Sequence, residues 1–183
     1  MVINEKGLLA AMKDAFKRRS TGYKVAARLL EDDTEEIILS APGWTVFIAR
    51  DNVPRKVMGL IVEHLGDLPR AGSAYQVQDK QTQAEIFEIA VPETPTPVAG
   101  ASVKRTNLAY QGYQIWQRID NQNVYMVSPA MEDMLEHYGM PVTMTDSGRL
   151  FAEGVASRLY ILPLQVMHND LPVLHHLAKL QWV

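Results

Sequence analysis

The chain contains no cysteine among its 183 residues. This absence excludes a disulfide framework, a zinc site with thiolate ligands and a thiol nucleophile, and it suits a reducing cytoplasm. The sequence also lacks a run of eighteen apolar residues and an N-terminal apolar segment typical of a signal peptide. We therefore expect a cytoplasmic protein that does not insert into a membrane.

The common sequence motifs of catalysis are also missing. The chain has no GxGxxG, GxxxxGKS/T, GxSxG or HExxH pattern, so the usual signatures of nucleotide binding, serine hydrolysis and zinc proteolysis are absent. A Ser-His-Asp site assembled from distant segments stays open, because such triads are recognised by geometry rather than by order in the sequence. The sequence predicts no cofactor and favours a non-enzymatic protein.

The composition is that of an ordinary globular protein. Hydrophobic residues make up 47% of the chain and charged residues 21%, with a formal net charge of −3. This length is sufficient for one substantial core or for two small lobes that share an interface.

A nine-residue segment occurs twice in the chain. MGLIVEHLG at residues 58–66 is echoed by MEDMLEHYG at residues 131–139. Apolar residues at i, i+3, i+4 and i+7 predict a helix in each copy, and the Gly that follows is typical of a helix end. The helical stripe does not require the Glu-His pair that both copies share. We therefore interpret the echo as the trace of an internal duplication.

Strand-like segments flank both predicted helices and extend the match. Upstream, residues 46–49 (VFIA) correspond to 124–127 (VYMV), and downstream, residues 86–89 (IFEI) correspond to 159–162 (LYIL). The predicted fold is α+β, with two similar ββαββ units related by a pseudo-twofold axis. The pattern does not decide whether the eight predicted strands form one sheet or two.

A helix is predicted at each end of the chain. The first covers residues 4–19, with Asn4 as its cap, and the last begins at Asn169 or Asp170 with Pro172 in its first turn. The Pro-rich segment 91–102 (VPETPTPVAGAS) is typical of an extended connector. We predict a first domain at residues 1–90, the connector at 91–102 and a second domain at 103–183.

The repeated pairs Glu63-His64 and Glu136-His137 are the first candidate site. Near a pseudo-twofold axis their imidazoles and carboxylates could bind a metal or act as acid and base between the lobes. Helix physics gives a simpler explanation, since His in a last turn interacts favourably with the helix dipole and Glu suits an exposed helix face.

Two further groups carry weaker functional interpretations. His168, Asp170, His175 and His176 cluster around the start of the last helix but match no known metal spacing. The stretch from Tyr110 to Trp116 (YQGYQIW) could form a recognition surface, although alternation explains it as a strand with Tyr113 and Ile115 on one face and Trp116 on the other.

A basic surface is predicted on the first helix, where Lys6, Lys13 and Lys17 share a face and Lys24 and Arg28 follow. Contacts with nucleic-acid phosphates are one interpretation. The acidic block at residues 31–36 (EDDTEE) and the net negative charge favour a solvated helix face instead.

Three functional hypotheses result. The favoured one is a protein-interaction module that binds another protein or a second copy of itself. The alternative is a small enzyme or metal-binding protein with the His/Glu site between its lobes. An accessory nucleic-acid binder that uses the basic helix is the third.

Overall fold

A computed structural model describes residues 2–17, 22–78, 81–87, 94–137, 139–164 and 171–177. These residues form a sheet-rich α+β fold, and none of their helices is long and apolar enough to cross a bilayer. The helices are α1 (Glu5–Lys17), α2 (Arg55–Leu65), α3 (Pro129–Glu132) and α4 (Leu171–Leu177). The strands are β1 (Tyr23–Leu29), β2 (Glu35–Ala41), β3 (Trp44–Ala49), β4 (Ser73–Gln78), β5 (Gln81–Phe87), β6 (Pro97–Tyr110), β7 (Tyr113–Arg118), β8 (Val124–Val127), β9 (Val142–Thr145), β10 (Leu150–Gly154) and β11 (Ser157–Ile161).

The first two helices form where local patterns predict them. Asn4 caps α1, because its side-chain oxygen accepts a hydrogen bond from the Lys6 N–H at 3.0 Å. Gly66 ends α2 with a positive φ of 87°, and its N–H donates to the Val62 carbonyl. The buried stripe of α2 differs from the predicted one, which consists of Met58, Ile61, Val62 and Leu65. Its buried residues are Val57, Leu60 and Ile61, whereas Val62 is 42% exposed.

All eleven strands belong to one sheet, in the order β5-β4-β1-β2-β3-β11-β10-β9-β6-β7-β8. Every neighbouring pair is antiparallel. Strand β11 joins the two halves, because it pairs with β3 on one side and with β10 on the other.

The two halves share a strand order but not the predicted repeat. Three strands, rather than two, precede each helix, and the strand after the helix pairs with the first strand of its own half. The orders β5-β4-β1-β2-β3 and β10-β9-β6-β7-β8 run the same way along the sheet, with corresponding strands parallel. The predicted ββαββ units and their pseudo-twofold axis are not confirmed.

The second half of the sheet curls strongly. The Leu164 N–H donates to the Met126 carbonyl of β8 at 2.8 Å, only three residues after β11 ends. Three residues span at most about 11 Å. Strand β8 lies five places from β11 in the sheet order, which would be about 24 Å away in a flat sheet. Strands β11 to β8 must therefore bend back towards each other.

The sheet buries apolar residues on both faces. The concave inner face carries the main core and packs against α1 and α2, with α1 also in contact with α3. The outer face carries two smaller clusters. One lies around Phe47 and Tyr160, and the other places Leu174 of α4 against Ile115 and Met126.

The predicted helix at residues 131–139 is wrong over most of its length. Helix α3 ends at Glu132, and Leu135 forms an isolated bridge with Ile3. Backbone hydrogen bonds to the N-terminal segment replace those of the next helical turn. The Asn4 N–H donates to the Met134 carbonyl, and the Glu136 N–H donates to the Val2 carbonyl. A contact distant in sequence therefore overrides the local helical pattern.

The predicted connector and the predicted start of the last helix can also be compared with the structure. Residues 97–102 of the predicted connector belong to β6, and Ala101 is buried. Pro172 does lie in the first turn of α4, as predicted. The predicted caps Asn169 and Asp170 lie outside the described residues.

Candidate functional site

The structure places the two Glu-His pairs in different settings. His64 lies in the last turn of α2, where its ring centroid is 4.4 Å from that of Phe16 on α1. Glu136 and His137 lie in the exposed segment after α3, outside any helix. Helix α1 contacts both α2 and α3. Among the described residues, no group of three or more His, Asp or Glu side chains could hold a metal ion.

The basic residues do not form one continuous face. Lys6, Lys13 and Lys17 are exposed on α1. Lys24 and Arg28 instead belong to β1. Burial lowers the pKa of Lys24, and Arg28 forms an ion pair with Glu36 at 2.7 Å. The predicted basic surface therefore ends with the helix.

The remaining sequence candidates are dispersed. His168 and Asp170 lie outside the described residues, as does the side chain of His175, while His176 is exposed on α4. Ile115 and Trp116 are both buried on β7 and belong to opposite faces of the sheet. The alternating pattern of this stretch thus reflects sheet packing.

A cleft that sequence reasoning missed opens in the second half of the sheet. It has a volume of about 560 Å³ and is lined by residues 102–105 of β6, by Trp116 and Ile119, and by residues 139–142. We call it the β6 cleft. Ile119 is 44% exposed, whereas Trp116 is buried.

The helical crossover beside this opening is shorter than its counterpart in the first half. In the first half, 23 residues (50–72) connect β3 to β4, and α2 contributes Val57, Leu60 and Ile61 to the core. In the second half, only 14 residues (128–141) connect β8 to β9. Its last residues, 139–141, form one wall of the β6 cleft.

Strand β6 also continues beyond its partner beside this cleft. On the side of β9, the last pair is Val103 with Val142, and β6 runs on to Tyr110. Within the described residues, no strand pairs with β6 on that side after Val103. In this stretch the backbone carbonyls of Thr106 and Leu108 already accept hydrogen bonds from Gln114 Nε2, so it is not an open edge.

A buried polar network fixes the geometry next to the cleft. The Glu132 carboxylate accepts hydrogen bonds from Arg105 Nε at 2.6 Å and from Trp116 Nε1 at 3.1 Å. Arg105 Nη2 also donates to Gln114 Oε1 at 2.9 Å, and Gln114 Nε2 donates to the carbonyls of Thr106 and Leu108. These bonds hold Arg105 and Trp116 in place, which preorganises the cleft.

A second charged network lies on the outer face. Glu36 is 5% exposed and pairs with both Arg28 and Arg158. Both guanidinium groups lie over the Phe47 ring, at 5.1 and 4.9 Å from its centroid. Because the Glu36 carboxylate is paired with two guanidinium groups that also cover the Phe47 ring, this acid can be buried on the outer face.

The sequence contained one signal of the missing helix. When the two nine-residue segments are aligned, the buried Leu60 of α2 corresponds to Asp133, which is exposed. An acid at a core position argues against a second docked helix of the same length. The cleft residues Arg105, Ile119 and Met140 had no local signal.

Comparison with models of known families, with curated proteins and with solved structures finds no match.

Proposed function

We propose that the protein is a non-enzymatic protein-interaction module and that the β6 cleft is its binding surface. The observation that carries this proposal is an apolar cleft lined by Trp116, Met140 and Arg105, next to the point where the pairing of β6 with β9 ends. Trp, Met and Arg are enriched in protein interfaces.

The polar network supports this function. Arg105 and Trp116 are both held by Glu132, so their side chains lose little conformational entropy when a partner binds. Ile119 presents an exposed apolar surface at the cleft. The residues that contribute most to binding usually lie in well-packed pockets of an interface.

We also propose that the two halves arose by internal duplication. The shared strand order and the matching strand directions support a common origin, as does the echo at residues 58–66 and 131–139. On this account the second copy lost most of its helix and gained β11. The β6 cleft is then the place where the lost helical turns no longer cover the sheet.

Site-specific photo-cross-linking tests the binding surface. A photoreactive amino acid is placed at Ile119 in the full chain, and the matched control carries it at Val155, which is fully exposed in the turn between β10 and β11. We expect adducts with a protein of defined mass from position 119 that are absent from position 155. Equal adduct patterns from both positions would refute the proposed surface.

A further inference from the structure

The turn between β1 and β2 presents an exposed apolar and acidic tip. Leu29 is 57% exposed, and the carboxylates of Glu31, Asp32 and Asp33 are exposed beside it. Glu35 and Glu36, the next acids along the chain, are already paired with Arg50 and with Arg28 and Arg158. The three tip acids therefore form a local negative surface distinct from the arginine-paired ones. We call residues 29–33 the acidic turn.

The acidic turn has a defined backbone conformation. The Leu30 N–H donates to the Thr34 carbonyl at 2.9 Å, and the Asp33 N–H donates to the Leu30 carbonyl at 3.1 Å. The Asp32 carboxylate accepts a hydrogen bond from the Thr34 N–H at 3.1 Å. A turn that is already ordered loses little entropy when it docks, so it is well suited to enter a cleft.

The β6 cleft is complementary to this turn. Lys104 is exposed and lines the cleft, whereas the lining residue Arg105 is already paired with Glu132, and none of the described lining residues carries a carboxylate. Ile119 supplies an exposed apolar contact of the kind that Leu29 requires. Basic and apolar groups in the cleft thus face acidic and apolar groups on the turn.

We infer that the occupant of the β6 cleft is the acidic turn of a second copy of this chain. This inference rests on the proposed function of the cleft. The turn belongs to the first half of the chain and the cleft to the second, so the contact is heterologous. In such an assembly, the copy at one end has an unoccupied acidic turn and the copy at the other end has an unoccupied β6 cleft. Further copies can therefore add head to tail.

The net charge makes this local complementarity necessary. Two copies with a charge of −3 each repel one another on average. We therefore expect association to depend on the contact between Lys104 of the cleft and the negative groups of the turn. High salt screens such contacts, so it is expected to weaken the assembly.

Charge-swap complementation tests the inference on the full chain. One variant carries Asp32→Lys and Asp33→Lys in the acidic turn, and the other carries Lys104→Glu in the cleft. Multi-angle light scattering after size exclusion, together with sedimentation, reports mass against protein concentration. Lys56→Glu is the matched control for Lys104→Glu, because Lys56 is an exposed residue of α2 and the two substitutions change the charge equally.

We expect the mass of the wild-type chain and of Lys56→Glu to rise with concentration above 20.5 kDa. Each charge variant alone loses at least about tenfold in association constant, a change of about 1.4 kcal/mol. An equimolar mixture of the two variants regains association, because each swapped surface then meets one of opposite charge.

Two results would overturn the inference. One is a monomeric mass for the wild-type chain at every concentration, and the other is association that neither charge variant weakens. If the chain is monomeric while position 119 still cross-links to a different protein, only the self-association is wrong. If position 119 also gives the same adducts as position 155, the proposed function fails as well.

Discussion

Arg105 donates from Nε to a carboxylate oxygen of Glu132 at 2.6 Å, and this pair fixes the position of a residue that lines the β6 cleft. The Glu132 side chain is only 6% exposed, whereas that of Arg105 is 24% exposed. The carboxylate also accepts the indole N–H of the buried Trp116. The architecture of the cleft therefore depends on one acid.

The first prediction concerns this acid. Glu132→Ala leaves Arg105 and the Trp116 indole without their shared acceptor, and we expect a loss of about 3 kcal/mol in the free energy of unfolding. Glu132→Gln keeps an oxygen that can accept from the indole, so it should cost less. The exposed Glu153 provides the control, since Glu153→Ala should change stability by no more than about 0.5 kcal/mol. Urea denaturation measures all three. Equal stability of Glu132→Ala and Glu153→Ala would contradict the role of the network.

The second prediction compares two glycines in helices. A Cβ on Gly7 of α1 would lie 1.9 Å from the Asp133 carbonyl oxygen, whereas a Cβ on Gly59 of α2 would have no atom within 4 Å. Gly7→Ala should therefore destabilise the fold by about 1–3 kcal/mol, because backbone must move. Gly59→Ala should stabilise it by about 0.5–1 kcal/mol, since Ala is the better helix former. Thermal and urea denaturation give the signs. A stabilising Gly7→Ala would show that α1 does not approach α3 so closely.

The third prediction is a pH dependence at Tyr23. Burial raises the pKa of Tyr23 to about 12 from 10.0. The unfolded chain therefore releases this proton first as the pH rises. The stabilising effect of the buried neutral phenol is complete below pH 10 and is lost between pH 10 and about 12. A shift of this size corresponds to about 2–3 kcal/mol.

Tyr23→Phe isolates this effect from other alkaline titrations. The difference in unfolding free energy between wild type and Tyr23→Phe should be constant below pH 10 and should change in favour of the Phe variant above it. Urea denaturation across this range provides the values. A difference that does not vary with pH would show that the phenol titrates normally in the folded protein.

Local sequence patterns were sufficient to predict α1 and α2. Both have an apolar stripe, and Asn4 and Gly66 mark their ends with groups that act within one or two turns. The same kind of pattern predicted a helix at residues 131–139 incorrectly, because the backbone of Met134 and Glu136 bonds to residues 2–4. No property of the nine-residue segment reveals a contact more than a hundred residues away.

Strands β1 and β6 were missed for a different reason. Buried residues occupy both faces of the central sheet, as Val25, Ala26 and Ala27 show in β1, so the alternation expected of a half-exposed strand is lost. In β6, the Pro-rich start at Pro97 has the composition of a connector. The β6 cleft lies beside the shorter of two crossovers, and the lengths of the crossovers can be determined only when the strand boundaries are known.

The central claim is that another protein chain docks in the β6 cleft, and hydrogen–deuterium exchange of the complex tests it most directly. The complex is the one trapped by cross-linking from position 119 or the one formed at high protein concentration. We predict that binding slows amide exchange at residues 103–106 and 139–142, while the turn at Val155 stays unchanged. Protection confined to other parts of the sheet, with residues 103–106 and 139–142 unaffected, would contradict the claim.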